Sequence, residues 1–475
     1  VQQRKAWGEA VSIPKEHWFK KFQFLAKNHK KHMVLESGRS GRYSMIGLDP
    51  IASLKGKNNM LTVEKNGETI VIEGNPLHAM KDWLAQYHIE TNSELPPFQG
   101  GAIGYISYDY VRYIEKLPKL AADDLNLPEL HFFVFQDVFV YDHSTEQLWV
   151  IVTDEEENIT QAQLRLSHYM NMWLEAPIQP ISYEYNYFMA ERKQDEFSMD
   201  EEKFSKAVHD IHEYISSGDV FQVNIAVRQT RQLKSHPMEV YEQLRLLNPS
   251  PYMSYLQFED FQIVSASPEL LVKKHKNEVS TRPIAGTRSR GRTAEEDEQL
   301  AEELLSNEKE RAEHIMLVDL ERNDLGRVCK YGTVEVDELM TIERYSHVMH
   351  IVSNVKGQLA EENEWTDVVD ATFPGGTITG APKVRTMEII EEIEPVRRGV
   401  YTGSIGWIGF DENMELNIAI RSMVVKDGQA HVQAGAGIVI DSHPQYEYKE
   451  SLKKAEALWR AKELSEYELS GGSRV

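Results

Sequence analysis

The chain of 475 residues contains one cysteine, Cys329, so no internal disulfide can form and a cage of thiolates around a metal is excluded. Long apolar runs are missing. The richest, residues 131–141, is interrupted by Gln136 and Asp137 and is far too short to span a bilayer. The opening Val-Gln-Gln-Arg-Lys-Ala-Trp has no apolar signal region. These absences set the expectation of a soluble cytoplasmic protein with no membrane partner. Positive charge is short as well: 52 Lys and Arg stand against 75 Asp and Glu, a net −23, which repels a phosphate backbone and argues against nucleic acid as a ligand. Any anionic substrate then needs a locally positive pocket. Two hydrolase patterns are also missing, since His212-Glu213 is followed by Ser216 where a zinc protease needs His, and no Gly-x-Ser-x-Gly elbow occurs.

What is there reads as an ordinary globular composition, 41% hydrophobic and 27% charged, enough for a sizeable core. Up to about residue 190 the pattern is mostly strand-like, at 41–47, 60–63, 68–72, 100–105 and 131–141. One helix interrupts it at 78–87, where Met80, Trp83, Leu84 and Tyr87 make one apolar face. Residues 183–202 are acidic and polar and read as a linker. Beyond them come a helix at 201–216, a strand at 220–227, a helix at 237–247, the break Asn248-Pro249-Ser250-Pro251 and a strand at 252–258. That order predicts an α+β fold, antiparallel sheets covered by helices, in two regions, 1–190 and 191–475.

Residues 310–324 place Glu310 and Glu313 three apart, on one helical face, ahead of the apolar run 315–318, which is expected to be buried on most sides. Glu447 and Glu450 repeat the spacing near the other end of the chain. If the pairs converge, four carboxylates and no thiolate suit a hard cation, and Mg²⁺ best, because it keeps several waters and takes only one or two protein carboxylates plus substrate anions. Two plainer readings stand beside this one. Asn307-Glu308-Lys309-Glu310 has the form of a capping box, and Glu450 with Lys454 could be no more than a surface i,i+4 ion pair.

Residues 373–383, Phe-Pro-Gly-Gly-Thr-Ile-Thr-Gly-Ala-Pro-Lys, invite a phosphate-loop reading that fails by position, because Ala381 stands where the pattern needs Lys. Gly435 and Gly437 mark a second place where the backbone allows close approach, with Arg421 as a possible bidentate partner for a carboxylate. His347 and His350 would face opposite sides of a strand, which speaks against one metal binding both.

Taken in order, residues 218–224, 267–269, 282–287, 310–324, 374–383, 401–406, 435–437 and 446–451 resemble the chorismate-utilising enzymes, strongly over 200–465 and more loosely over 15–150. The resemblance implies large antiparallel sheets packed orthogonally in a β-sandwich core with helices outside. It implies Mg²⁺ held mainly by Glu313 and Glu450, with Glu310 and Glu447 in support through water and Lys454 adding positive charge. Arg421, Tyr401 and the backbone near Gly435 and Gly437 would hold the enolpyruvyl carboxylate, and Gly286 and Thr287 would frame the ring carboxylate. His350 and Glu269 would assist departure of the C4 hydroxyl. Gln222, where water-using members have lysine, suits an enzyme that admits ammonia. Leu35, Glu36 and Ser37 resemble a tryptophan-type site of the aminating branch, whose members pair with a separate glutamine amidotransferase. Cys329 has no setting for a glutaminase nucleophile, so the ammonia must come from that partner.

Within the branch, residues 374–383 and 401–406 resemble the aminodeoxychorismate-forming members, the first expectation for the product. Ala285, where many of those carry a lysine, resembles the anthranilate-forming members, the alternative. A non-catalytic regulatory subunit that binds a small anion is a third reading.

Overall fold

The computed structural model describes all residues except 1–2, 39–40, 180, 182, 184–194, 346–347 and 470–475. Most of the expected linker and His347 therefore lie outside the described residues.

Alternating apolar residues pair into two antiparallel sheets, each of 12 strands among the described residues. The first runs, in spatial order, through Arg4–Ser12, Gln147–Glu155, Asp137–Asp142, Tyr43–Gly47, His32–Glu36, Tyr252–Gln257, Phe261–Ser267, Ser422–Lys426, Gln429–Ile438, Gln222–Gln232 and Glu196–Phe197, with Gly380–Ala381 added against Gln222–Gln232. The second runs through Ile284–Ser289, Val348–Gln358, Glu278–Arg282, Leu270–His275, Met414–Asn417, Ser404–Gly409, Gly101–Ile106, Leu130–Phe135, Ala52–Lys57, Met60–Lys65 and Glu68–Glu73, with Glu335–Arg344 beside Val348–Gln358. The α+β class with large antiparallel sheets is as the sequence predicts. Each sheet takes five of its strands from before residue 190 and seven from after it. The halves join at one seam per sheet, His32–Glu36 on Tyr252–Gln257 and Gly101–Ile106 on Ser404–Gly409.

The largest core joins side chains of both sheets, among them Met33, Phe261 and Ile263 of the first and Tyr105, Phe132 and Trp407 of the second. On its other face the first sheet is covered by the helices Trp18–Ala26, Ile159–Glu175, Pro237–Leu247 and Glu456–Leu469, which bury Trp18, Trp173, Tyr241 and Trp459. Burial of this kind contributes about 25 cal/mol per Å² of apolar surface and is what holds the layers together. The helix Glu201–Ser216 lies where periodicity placed it, capped by Asp200, whose side chain accepts from the Lys203 N–H.

The run 131–141 is two strands. Leu130–Phe135 and Asp137–Asp142 belong to different sheets, with Gln136 at the crossing. The expected helix at 78–87 is Pro76–Leu84, tightening to a 3₁₀ turn at Ala85–Tyr87.

Candidate active site

The long helix Glu308–Gly326 starts where Asn307 accepts from the Glu310 N–H, with Glu308 and Glu310 in the first turn to complement the helix dipole. The reciprocal half of a capping box is missing, because the Glu310 carboxylate instead reaches Arg288 at 3.1 Å. The apolar run is not buried on most sides: Leu317 and Val318 are buried, but Ile315 is 46% exposed. The helix lies along one wall of a cleft, as a surface helix with a single apolar stripe does.

The facing wall is the strand pair Gln222–Gln232 and Gln429–Ile438, in which Asn224 pairs with Gly437 and Ala226 with Gly435. Residues 222 and 224 point to the cleft, since 223, 225 and 227 enter the core on the other face. Gln222 donates from Nε2 to Glu313 Oε1 at 3.3 Å. A Cβ at Gly437 would stand 2.3 Å from that nitrogen, so a side chain there would displace the amide. The helix Pro444–Lys453, opened by Pro444, carries Glu447 and Glu450. Glu450 pairs with Lys454 at 3.1 Å, and Lys454 also donates to the Gly435 carbonyl at 3.0 Å. Burial raises the Glu447 carboxyl, Ser442 offsets this, and neighbouring Glu450 raises it further. Lys309 of the long helix is near enough to lower it, so the two helices face one cleft.

The four carboxylates do not gather as expected. Among the described residues no group of three or more His, Cys, Asp or Glu is placed to hold a metal ion. Each of the two helices carries a pair of carboxylates, Glu310 and Glu313 on one and Glu447 and Glu450 on the other, an all-oxygen donor set. That fits Mg²⁺, which needs no protein cage and completes its shell with water and substrate oxygens.

Deeper in, Gly286 takes φ 63°, and a Cβ there would meet Glu310 Oε2 at 3.0 Å. His350 Nδ1 lies 3.0 Å from Thr287 Oγ1 and 3.1 Å from the Gly286 carbonyl. Burial lowers its pKa to about 4, so the ring is neutral at pH 7. Glu269 is 5% exposed; burial pushes its carboxyl up to about 7, against the lowering influence of the Thr377 hydroxyl and Arg421. Arg421 sits just before the strand Ser422–Lys426 rather than on it, with φ 51°. Its pKa is lowered by burial, partly offset by Glu269 and Tyr345. Among the described residues no carboxylate lies within ion-pair distance of this guanidinium. A desolvated cation without a counter-ion is expensive to hold. It is a site for an anion that the protein does not itself supply.

These elements, with acids on two helices, a desolvated arginine and a glutamate whose carboxyl is pushed up to about 7, lie within the stretch that matches a known family pattern. The pattern described as chorismate binding enzyme covers residues 31–460. The chain belongs to that family. It is 54% identical over 98% of its length to aminodeoxychorismate synthase component 1 of Bacillus subtilis, covering 99% of that protein. It is 45% identical over 93% of its length to anthranilate synthase component 1 of Thermus thermophilus, covering 94% of that protein. Among solved structures, anthranilate synthase component I of Streptococcus pneumoniae matches with a TM-score of 0.76 at 37% identity, over 88% of this chain and 92% of that one. The menaquinone-specific isochorismate synthase MenF of Escherichia coli, at 16% identity and TM-score 0.70 over 97% of this chain and 95% of that one, shares the fold.

Two features of this chorismate-binding enzyme escaped the reading of its sequence. Arg398 is buried and ion-paired with Glu394 at 2.7 Å. It donates to the carbonyls of Ile378 and Asn224 at 2.8 and 2.7 Å and lies 5.6 Å from the Tyr401 ring. It thereby ties the glycine-rich turn, the cleft strand and Tyr401 together. The i,i+4 spacing of Glu394 and Arg398 was a usable signal. The second is Glu321 on the long helix, a carboxyl that burial raises well above the ordinary range, for which the sequence carried no signal.

Leu35, Glu36 and Ser37 border a separate cavity of about 680 Å³, with Tyr43, Met253 and Asn417. Glu36 is engaged there by its own protein, accepting from Tyr241 at 2.5 Å and from Arg245 at 2.6 and 2.7 Å. No helix among the described residues is long and apolar enough to cross a membrane.

Proposed function

We propose that the chain converts chorismate and ammonia to 4-amino-4-deoxychorismate, on the route to 4-aminobenzoate and folate, as component I of an aminodeoxychorismate synthase. The observation that carries this reading is the unpaired guanidinium of Arg421 beside Glu269: a carboxylate-bearing ring held by the first presents a leaving group to the second. The higher identity to the Bacillus subtilis aminodeoxychorismate synthase than to the Thermus thermophilus anthranilate synthase favours the product that keeps its enolpyruvyl group.

In this reading Arg421 takes one substrate carboxylate through two parallel hydrogen bonds, while Gly286 and Thr287 frame the other and Tyr401 closes the side. Glu313 and Glu450 would hold Mg²⁺, with Glu310 and Glu447 behind them through water, its charge fixing the ring carboxylate. Glu269, its carboxyl pushed up to about 7 by burial and so still carrying a proton in a large share of molecules at neutral pH, gives that proton to the departing C4 hydroxyl. His350, neutral, orients that hydroxyl by hydrogen bonding. Gln222 cannot take a proton from water, so it favours an incoming nucleophile already reactive, ammonia. Ala285 supplies no amine for a covalent route, so ammonia adds to the ring directly. The ammonia comes from a glutamine amidotransferase partner, because buried Cys329, its thiol pushed up to about 11, cannot serve as a glutaminase nucleophile.

The test is product identity. With chorismate, Mg²⁺ and ammonium, pyruvate followed by lactate dehydrogenase should stay near zero while 4-amino-4-deoxychorismate accumulates, and chelation or Glu450→Gln should stop turnover. Stoichiometric pyruvate with fluorescent anthranilate would replace this reading by the anthranilate one.

A further inference from the structure

Around Glu269, four buried oxygens make no well-formed hydrogen bond among the described residues: Glu269 Oε1, Thr377 Oγ1, Glu321 Oε2 and Thr281 Oγ1. They come from four elements that pack together. Glu269 precedes the strand Leu270–His275, Thr281 lies on its neighbour Glu278–Arg282, Thr377 is in the 3₁₀ turn Gly376–Ile378, and Glu321 is on the long helix. The long helix presses on that turn, since a Cβ at Gly376 would overlap Leu320 Cδ2 at 1.9 Å. The Thr377 hydroxyl is beside Glu269 and the Thr281 hydroxyl beside Glu321, and the two carboxyl groups are close enough for Glu321 to feel the charge of Glu269.

Buried polar atoms are costly to leave unpaired, and these four fall into two contacts, Thr377 with Glu269 and Thr281 with Glu321, each hydroxyl close enough to lower its acid. The cost falls if both acids carry protons and share them through the rotating hydroxyls. Burial raises the Glu321 carboxyl well above the ordinary range. The Thr281 hydroxyl lowers it, Glu269 and Asp324 raise it, and Lys383 lowers it. Lys383 is itself held at 2.6 Å by Asp324, so its charge is already spent on another acid. The two acids differ in access. Glu269 is sealed, whereas Glu321 has one oxygen inside while the residue still reaches the surface.

We propose that Glu321 is a positioning acid that returns a proton to Glu269 between turnovers, carrying it from solvent past the Thr281 and Thr377 hydroxyls to a carboxylate that the filled cleft shuts off from water. The proposal rests on the aminating reading only in requiring that a hydroxyl leave. The balance is as follows. The C4–O bond breaks as the Glu269 proton joins the hydroxyl to make water, and the ammonia lone pair forms the C4–N bond, leaving a C4 ammonium and a Glu269 carboxylate. The Glu321 proton then passes to Glu269, and Glu321 takes a proton from solvent. The product ammonium returns one proton to solvent, so no net proton is consumed.

The experiment uses the full chain with chorismate, Mg²⁺ and ammonium, and compares the first turnover, by rapid quench, with the steady state. In Glu321→Gln at pH 6 the first turnover should stay within about twofold of wild type, because Glu269, its carboxyl pushed up to about 7, starts mostly protonated there, while kcat falls about tenfold with an unchanged chorismate KM. The deficit should widen as pH rises above about 7, where solvent protons become scarce. Glu321→Ala should show the same split and recover turnover in proportion to added formate, a small acid able to enter the space. Equal loss in both phases, an unchanged pH profile, or no response to formate overturns the relay. Product identity is read from wild type alone, so anthranilate as the product would remove the aminodeoxychorismate reading without deciding the role of Glu321.

Discussion

Two of the places in this protein that set a largely desolvated arginine near a buried glutamate end in opposite states. At the 680 Å³ cavity, Glu36 accepts three hydrogen bonds from Tyr241 and Arg245, and the Arg245 guanidinium lies 3.6 Å from the Phe19 ring centroid. Glu36 and Arg245 complete each other inside the chain. In the cleft, Arg421 and Glu269 influence each other's ionisation, yet no hydrogen bond or ion pair joins them, and a Glu269 oxygen makes no well-formed hydrogen bond among the described residues. The first arrangement spends its charges on holding two layers together. The second keeps them for a molecule that arrives later, at a cost in stability that reactive sites commonly carry.

The sharpest way to break the comparison is Glu269→Gln. Turnover should fall by about 10²–10⁴-fold, the usual worth of a placed general acid, while the melting temperature at pH 8 stays level or rises. The sign follows from linkage. The folded carboxyl titrates at about 7, above its ordinary 4.5, so its contribution to stability is fully present below pH 4.5 and is lost as pH rises through 7. Above that pH the native acid is a burden that glutamine removes. For the same reason wild-type kcat should fall as pH rises through about 7. A melting temperature that drops with activity would make Glu269 a structural residue like Glu36.

Arg245→Met should do the reverse. Breaking a buried pair by removing one partner costs about 3–5 kcal/mol, so urea unfolding should shift strongly while the folded fraction keeps its kcat. The smallest effect is expected from Arg421→Lys, which keeps the charge but loses the planar fork. KM for chorismate should rise about tenfold with stability unchanged, and an unchanged KM would remove Arg421 from substrate binding.

Periodicity made much of the architecture legible, because helices such as Glu201–Ser216 and Pro237–Leu247 announce themselves by caps and apolar spacing. What it could not show is which sheet a strand joins. Leu130–Phe135 and Asp137–Asp142 read as one run, since alternation is a local property and partner choice is not. In the site, motif order named Gln222, Glu313, Gly437 and His350, and the structure places Gln222 against Glu313 and Gly437, and His350 against Gly286 and Thr287. The sequence offered the Glu450–Lys454 ion pair, which the structure shows, but not the partner of Glu310, which is drawn to Arg288. Helical spacing fixes a face and leaves the partner across the cleft open. Glu321 was invisible because an acid on a helix looks solvated until the elements packed over it are known.

The two seams have a consequence for synthesis. Strand His32–Glu36 waits for Tyr252–Gln257, more than 200 residues later, and Gly101–Ile106 waits for Ser404–Gly409, about 300 residues later. At about 5–20 residues per second on the ribosome, the second wait lasts roughly 15–60 s. Through that time the nascent first half holds an unpaired apolar edge, an invitation to aggregation that a chaperone or another early contact must cover. The order of translation, as much as the final contacts, sets the conditions under which this enzyme can be made.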